Sequence, residues 1–356
     1  MTNANETLWS PVGRPIEEIL APRPRRQDLS GFEPVYSDIV DYILRCTHRI
    51  WEEKNVGLCR THYGADCVVH TLAGETRGVD QVIANTLATL AEFPDRTLLG
   101  EDVIWSEDAP GRYHTSHRII SPMTHQGDGA FGTATHRRAF VLTIADCVCV
   151  ENRIVEEWMA RDNLWLARQL GLDPWAIAQA QAAADQDGDQ ERHAWRRADL
   201  QRVWEGHGLT APPPRDSASA RIARAFDLAI NQAMLGEAAM VFSSAVEGRW
   251  PSGRRIFGRP GWIGAVNQLL AMLDRPAWVL DHWAETPLPG GDTAVALRWS
   301  IAGLHARRGV YGPATGRHLL VLGISHFTVR NAEVIEDTTV FDDLAILRQI
   351  AGGLGQ

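Results

Sequence analysis

The chain has no apolar run long enough to cross a membrane as a helix. Its opening stretch, "MTNANETLWSPVGRPIEEILAPRPRRQDLSGFEP", lacks the basic start and apolar core of a secretory signal. It also lacks a basic excess: 44 acidic against 35 basic side chains give a formal charge of −9. Nucleic acid is therefore not expected as the main partner, because phosphate binding wants a basic face. Cysteine is sparse. Cys46, Cys59, Cys67, Cys147 and Cys149 have no zinc-type spacing, and an odd number, several in apolar runs, reads as reduced, buried thiols in a cytoplasmic protein. Histidines are frequent in the first half (His62, His70, His114, His117, His125, His136), yet no HxH or HExxH spacing occurs. On a strand, His114 and His117 point to opposite faces, so no metal site is expected. No Gly-rich segment opens a helix as a phosphate loop does.

What is present is a repeat. "GTATHRR" at Gly132–Arg138 returns as "GPATGRH" at Gly312–His318, 180 residues later. The same offset aligns Arg118 with Arg298, His125 with His305, Gly129 with Gly309, Phe131 with Tyr311, Glu156 with Glu336, Asp162 with Asp342, and Arg168–Gln169 with Arg348–Gln349. Between 118 and 169 there are 15 identities in 52 positions, where chance gives roughly one in sixteen. A whole domain is therefore duplicated, which suits 356 residues better than one core does. The organisation expected is an N-terminal arm (1–34), a first domain (35–176), a helical and Pro-rich linker (177–214) and a second domain (215–356). Each domain reads as helices followed by strands and hairpins, an α+β class, with a curved antiparallel sheet wrapped on its N-terminal helices as a cone with one open mouth. Such a concavity is a natural small-molecule site.

Arginine, then His, then Phe/Tyr-Gly-x-x-Ala-Thr-x-Arg, an apolar strand and "RIVEEWMARDNLWLARQLG" together resemble the SnoaL-like polyketide cyclases of the NTF2-like superfamily. The residues carrying the resemblance are Arg118, His125, Phe131, Gly132, Ala134, Thr135, Arg137, Ile154, Glu156, Trp158, Asp162 and Gln169 in the first repeat. In the second they are Arg298, His305, Tyr311, Gly312, Ala314, Thr315, Arg317, Val334, Glu336, Asp342 and Gln349. The resemblance implies two NTF2-like cones forming a dimer-like pair within one chain, as a monomer or homodimer. It also implies chemistry without metal or organic cofactor. In these cyclases a carboxylate removes a proton beside a carbonyl and an aldol ring closure follows. The family's catalytic aspartate falls on Met159 and Thr339. Its pocket His and Gln fall on Ala145 and Thr143 in one repeat, and on Ser325 and Gly323 in the other.

The nearest acids on the same strand face are Glu157 and Asp337, two residues back. Glu157 is the expected base, with His70 and His125 as partners. His70, after "CVV", is expected on the inner wall, with Trp250 as its counterpart. His125 and His305 are read equally as hydrogen-bonding the adjacent turn. Arg118 and Arg298 either bind an anion or pair with Glu156 and Glu336. Asp146 and His326 occupy equivalent strand positions and need partners if buried. His117, His136 and Trp158 complete the pocket candidates. Asp162 and Asp342 read as caps of a final helix. The expected function is cofactor-independent acid–base chemistry (cyclisation, isomerisation or hydrolysis) on a small apolar carbonyl or polyketide-like compound. The alternative is a non-catalytic small-molecule-binding or scaffold protein.

Overall fold

A computed structural model describes residues 16–187 and 194–352. The first 15 residues of the expected arm, the centre of the linker and the last four residues lie outside them. The chain forms two compact units. The first takes in 76–159, the preceding residues to 70 and the stretch 286–291. The second takes in 160–285 and the residues from 292 onward, with the stretch 71–75. The helices after Arg161, which the repeat spacing assigns to the first domain and the linker, thus belong to the second unit.

The first unit opens with α1 (Ile16–Leu20), α2 (Ile39–Trp51) and the short α3 (Cys59–His62). Asp38 starts α2 by accepting from Asp41 N at 2.8 Å, and Ile39, Tyr42, Ile43, Cys46 and Ile50 form its buried stripe. Strands β1 (Tyr63–Thr71) and β2 (Gly74–Arg77) follow, then α4 (Val79–Glu92). Gly78, at φ 80°, turns the chain into α4. Strands β3 (Leu99–Ala109), β4 (Arg112–Thr124), β5 (Arg138–Val150) and β6 (Arg153–Arg161) complete a six-stranded sheet of order β2-β1-β6-β5-β4-β3.

The second unit holds α5 (Asn163–Gln169), α6 (Pro174–Asp187), α7 (Ala194–Trp204), α8 (Ala218–Ile230) and α9 (Leu235–Ala238). Then come β7 (Phe242–Trp250), β8 (Arg254–Phe257) and α10 (Gly258–Leu270). Strands β9 (Leu273–Pro287), β10 (Thr293–His305), β11 (His318–Arg330) and β12 (Glu333–Phe341) lead to α11 (Asp343–Ala351). The sheet order β8-β7-β12-β11-β10-β9 repeats the first. Asp162 and Asp342 cap α5 and α11, accepting from Trp165 N at 3.3 Å and Ala345 N at 3.1 Å, as the sequence predicts.

Two expectations are corrected. The sheets are mixed rather than antiparallel, because β1 runs parallel to β6 and β7 to β12. The offset of 180 also has a break. In the first sheet Val69 lies opposite Glu157, and in the second Gly248 lies opposite Asp337, an offset of 179 in the first strand. The difference is one extra residue in the β7–β8 hairpin, where "PSG" replaces a two-residue connection. His70 therefore matches Arg249, and Trp250 is not its counterpart.

The duplicated phrase builds a loop. Gly129 and Gly132 bridge one another, as do Gly309 and Gly312, and Gly132 and Gly312 take φ of 96° and 108°. His125 and His305 brace these loops through Thr135 and Thr315, at 3.2 and 3.0 Å. Here the identity between repeats records a structural need.

The two interiors differ. Phe226, Phe242, Trp250, Trp262, Trp299, Phe327 and Phe341 fill the second, with neighbouring ring centroids 4.4–6.4 Å apart. The first has Ile119 where the second has Trp299, Cys147 for Phe327 and Val82 for Trp262. Gly323 exists to admit an indole: a Cβ there would lie 2.2 Å from the Trp299 ring. Gly323→Ala is accordingly expected to destabilise the protein by about 1–3 kcal/mol through overpacking. Urea denaturation of the variant measures this, and an unchanged midpoint would mean that Trp299 does not lie across Gly323.

Candidate active site

Strand parity decides which residues meet. Cys67 and Val69 of β1 pack with Cys46 and Cys59 in the interior, so His70 faces the other way. On β4 and β5 the inward pairs are Tyr113–Cys149, Thr115–Cys147, His117–Ala145 and Ile119–Thr143. Of these, Tyr113, Ala145, Cys147 and Cys149 join α2 in one apolar core.

Glu157 is 4% exposed and lies on this inner wall. The Tyr63 phenol donates to its Oε2 at 3.1 Å. Burial, and next the Glu157 charge, push Tyr63 well above its ordinary pKa and Cys59 and Cys67 up to about 11. The same causes in the same order raise Cys147 well above its usual value. These thiols are protonated wall groups, not nucleophiles. Met159, at the family's aspartate position, packs in the same apolar cluster.

Two polar groups on this wall are unsatisfied. His117 is 2% exposed, and burial lowers its pKa to about 3, so the imidazole is neutral. Among the described residues its Nε2 has no hydrogen-bond partner, nor has the Thr143 hydroxyl. Gly100 makes room for the ring itself: a Cβ there would lie 2.8 Å from His117 Nε2 and from Leu44 of α2, which together fill that side. Two unpartnered polar groups on one buried wall call for an explanation.

The other candidates lie elsewhere. On the outer face of the first sheet His70 meets Glu156 at 3.1 Å and stacks on Trp158 at 5.0 Å. Trp158 also stacks on His114, which pairs with Asp146 at 3.1 Å. The expected grouping of Glu157 with His70 is therefore not formed. His125 is held by Thr135, lies 3.3 Å from Glu92, and stacks on Phe93 at 5.2 Å, so it braces the loop away from Glu157. His136 is exposed at φ 57°. Arg118 pairs with Glu101 at 3.0 Å, rather than with Glu156. Arg298 and His326 are buried on the outward-facing positions of β10 and β11.

In the second interior Asp337 is fully buried and fully engaged. It accepts from Trp250 Nε1 at 2.8 Å and Thr339 Oγ1 at 2.7 Å. Thr339 and Ser325 lie 2.8 Å apart, and Trp299 donates to Ser325 at 3.0 Å. Burial raises Asp337 to about 7 against the pull of its two donors. The His305 ring braces its loop as His125 does. Sequence reading missed Tyr63. The pairing of β1 with β6 shifts register between Tyr63 and Val68, so alternation along the strand gives no signal for it.

Residues 42–170 match the family model for SnoaL-like polyketide cyclase. No curated protein matches the chain. Among solved structures, IdmH, a putative polyketide cyclase from Streptomyces antibioticus, is 22% identical; the match covers 37% of this chain and 98% of that one, with a TM-score of 0.33. AclR, a putative hydroxylase from Streptomyces galilaeus, is 22% identical over 36% of this chain and 92% of its own, TM-score 0.32. A putative polyketide cyclase from Xanthomonas campestris pv. campestris is 17% identical over 38% and 99%, TM-score 0.32.

Proposed function

From a chain whose first repeat matches the SnoaL-like polyketide cyclases, we propose that the first cone is the working chamber. It takes a small apolar carbonyl compound of polyketide-like character and moves a proton on the carbon beside the carbonyl. The observation that carries this is the contrast between interiors. Val82, Ile119 and Cys147 stand in the first where Trp262, Trp299 and Phe327 fill the second, and one carboxyl and two unpartnered polar groups accompany them.

The chemistry is general-base enolisation. The Glu157 carboxylate takes the α-proton, the C–H bond breaks, and its electron pair moves to the carbonyl oxygen. Tyr63 holds the carboxylate in place. His117, neutral and bearing its proton on Nε2, and the Thr143 hydroxyl donate to the enolate oxygen. Return of the proton to another carbon is isomerisation. Attack of the enolate carbon on a second carbonyl is ring closure, and Glu157 then gives its proton to the new alkoxide. Imine chemistry is disfavoured in this chamber, since the chain's single lysine, Lys54, spends its Nζ on Arg96 O at 2.6 Å.

A second reading, binding without turnover, draws support from Met159 and Thr339 at the family's aspartate position. One experiment separates them. 2-Tetralone, an aromatic ketone with acidic α-protons, is incubated with the protein in D2O and followed by NMR. The first reading expects α-proton exchange clearly faster than in buffer. Saturable binding with exchange at the buffer rate would establish the second reading, and no binding would remove the chamber from both.

A further inference from the structure

We propose that the second unit carries another small-molecule site, outside the cone interiors, that takes an apolar or aromatic carboxylate. A cavity of about 500 Å³ lies there, between Leu164, Arg168, Trp175, Arg254, Tyr311 and Asp343. That volume is in the usual range for small-molecule sites.

The acids around the cavity are already engaged. Asp343, 1% exposed, accepts from the Ser252 hydroxyl and the Tyr311 phenol. Asp162 accepts from Ser252 N at 2.8 Å and Gly253 N at 3.1 Å. Asp173 accepts from Trp175 N at 3.0 Å. The guanidinium groups are not engaged to the same degree. Arg254 gives Nε to Pro251 O at 3.0 Å and one terminal nitrogen to Gln268, leaving the other without a bond among the described residues. The Arg168 guanidinium makes no hydrogen bond or ion pair among them, although its charge, like that of Arg254, acts on Asp343. Unused cationic donors beside Leu164, Trp175 and Tyr311 fit a ligand with a carboxylate head and an apolar body.

A second observation is independent of the cavity. Arg348 occupies the position equivalent to Arg168 in the second repeat, and it holds a carboxylate. Its Nε donates to Asp185 Oδ2 at 2.6 Å and its Nη2 to the other oxygen. The same fork at Arg168 has no protein acid on it. Nor is this cavity an inherited feature of the fold. Tyr311, Asp343 and Arg254 correspond to Phe131, Asn163 and Gly74 in the first repeat. Burial, with the Asp343 charge next, raises Asp162 to about 7, so this carboxyl pair cancels less of the arginine charge near neutrality.

The test is calorimetric titration of the full chain with 2-naphthoate and with 2-naphthamide, the uncharged analogue of the same shape. Saturable binding of the acid is expected, with the amide about tenfold weaker or more. Arg168→Gln, a change at an exposed side chain, should weaken the acid by about tenfold or more and leave the amide unchanged. Glu157→Gln should leave naphthoate binding unchanged, and 2-tetralone should not compete. Equal affinity for acid and amide, indifference to Arg168→Gln, competition by 2-tetralone, or no binding at millimolar concentration would each overturn the proposal.

Discussion

Glu157→Gln is expected to slow α-proton exchange by about a hundredfold or more, the usual contribution of a positioned general base. Asp337→Asn should leave it within about twofold. The amide introduced by Glu157→Gln keeps a carbonyl oxygen to receive the Tyr63 phenol, so the side chain stays in place and only the proton acceptor is lost. Retained 2-tetralone affinity would show that the chamber survives. Asp337 is the competing base, and its pKa of about 7 is where a base belongs at neutral pH. Geometry decides against it. Both its oxygens are taken, and Trp250, Trp299 and Phe341 pack around its network. If Asp337→Asn proves the damaging change, the second cone is the catalyst. If neither change alters exchange while the ketone binds, the chamber does not use Glu157.

The same Asp337 should govern stability against pH. Its folded pKa of about 7 lies above the ordinary unfolded value of about 3.9. A raised acid contributes its full stability below the unfolded pKa, then loses it as pH rises through the folded value. Between pH 5 and 8 the loss is about 2–3 kcal/mol for this group alone. Asp162, at about 7, and Asp342, at about 6, act in the same direction. His117, lowered to about 3, opposes them by about 2 kcal/mol, which still leaves the chain more resistant to urea at pH 5 than at pH 8. Asp337→Asn keeps an acceptor for Trp250 and a donor to Thr339 but carries no charge. Relative to the parent, it should gain about 2–3 kcal/mol on going from pH 5 to pH 8. A difference independent of pH would mean that Asp337 is ionised in the folded protein at pH 5.

The duplication was legible because glycines and loop-bracing residues are dictated by backbone geometry. Gly132, Thr135 and His125 cannot drift while the loop remains. The inward course of Glu157 was legible too, from its two-residue spacing to Met159. The error at His70 arose from parity in a short uniform run. Three consecutive apolar residues fit either face, and the answer came from helices far away in sequence. The partner of Arg118 was equally hidden. Glu101 lies on a neighbouring strand whose register no local pattern specifies. Thr143 and His117 were visible as residue types, but their lack of partners is a property of the packed interior alone.

The extra residue in the β7–β8 hairpin has a hereditary meaning. After a gene doubles, each copy accumulates changes under its own selection. A single in-frame codon separates the two hairpins here. That codon lies after the strand and leaves its parity unchanged: Trp250 takes the place of Thr71, and its indole reaches Asp337. Its loop also supplies the Ser252 hydroxyl and two backbone donors to Asp343 and Asp162. One small genetic event therefore furnished part of the wall of the cavity beside Arg254 and Tyr311, and it did so without altering the strand that precedes it.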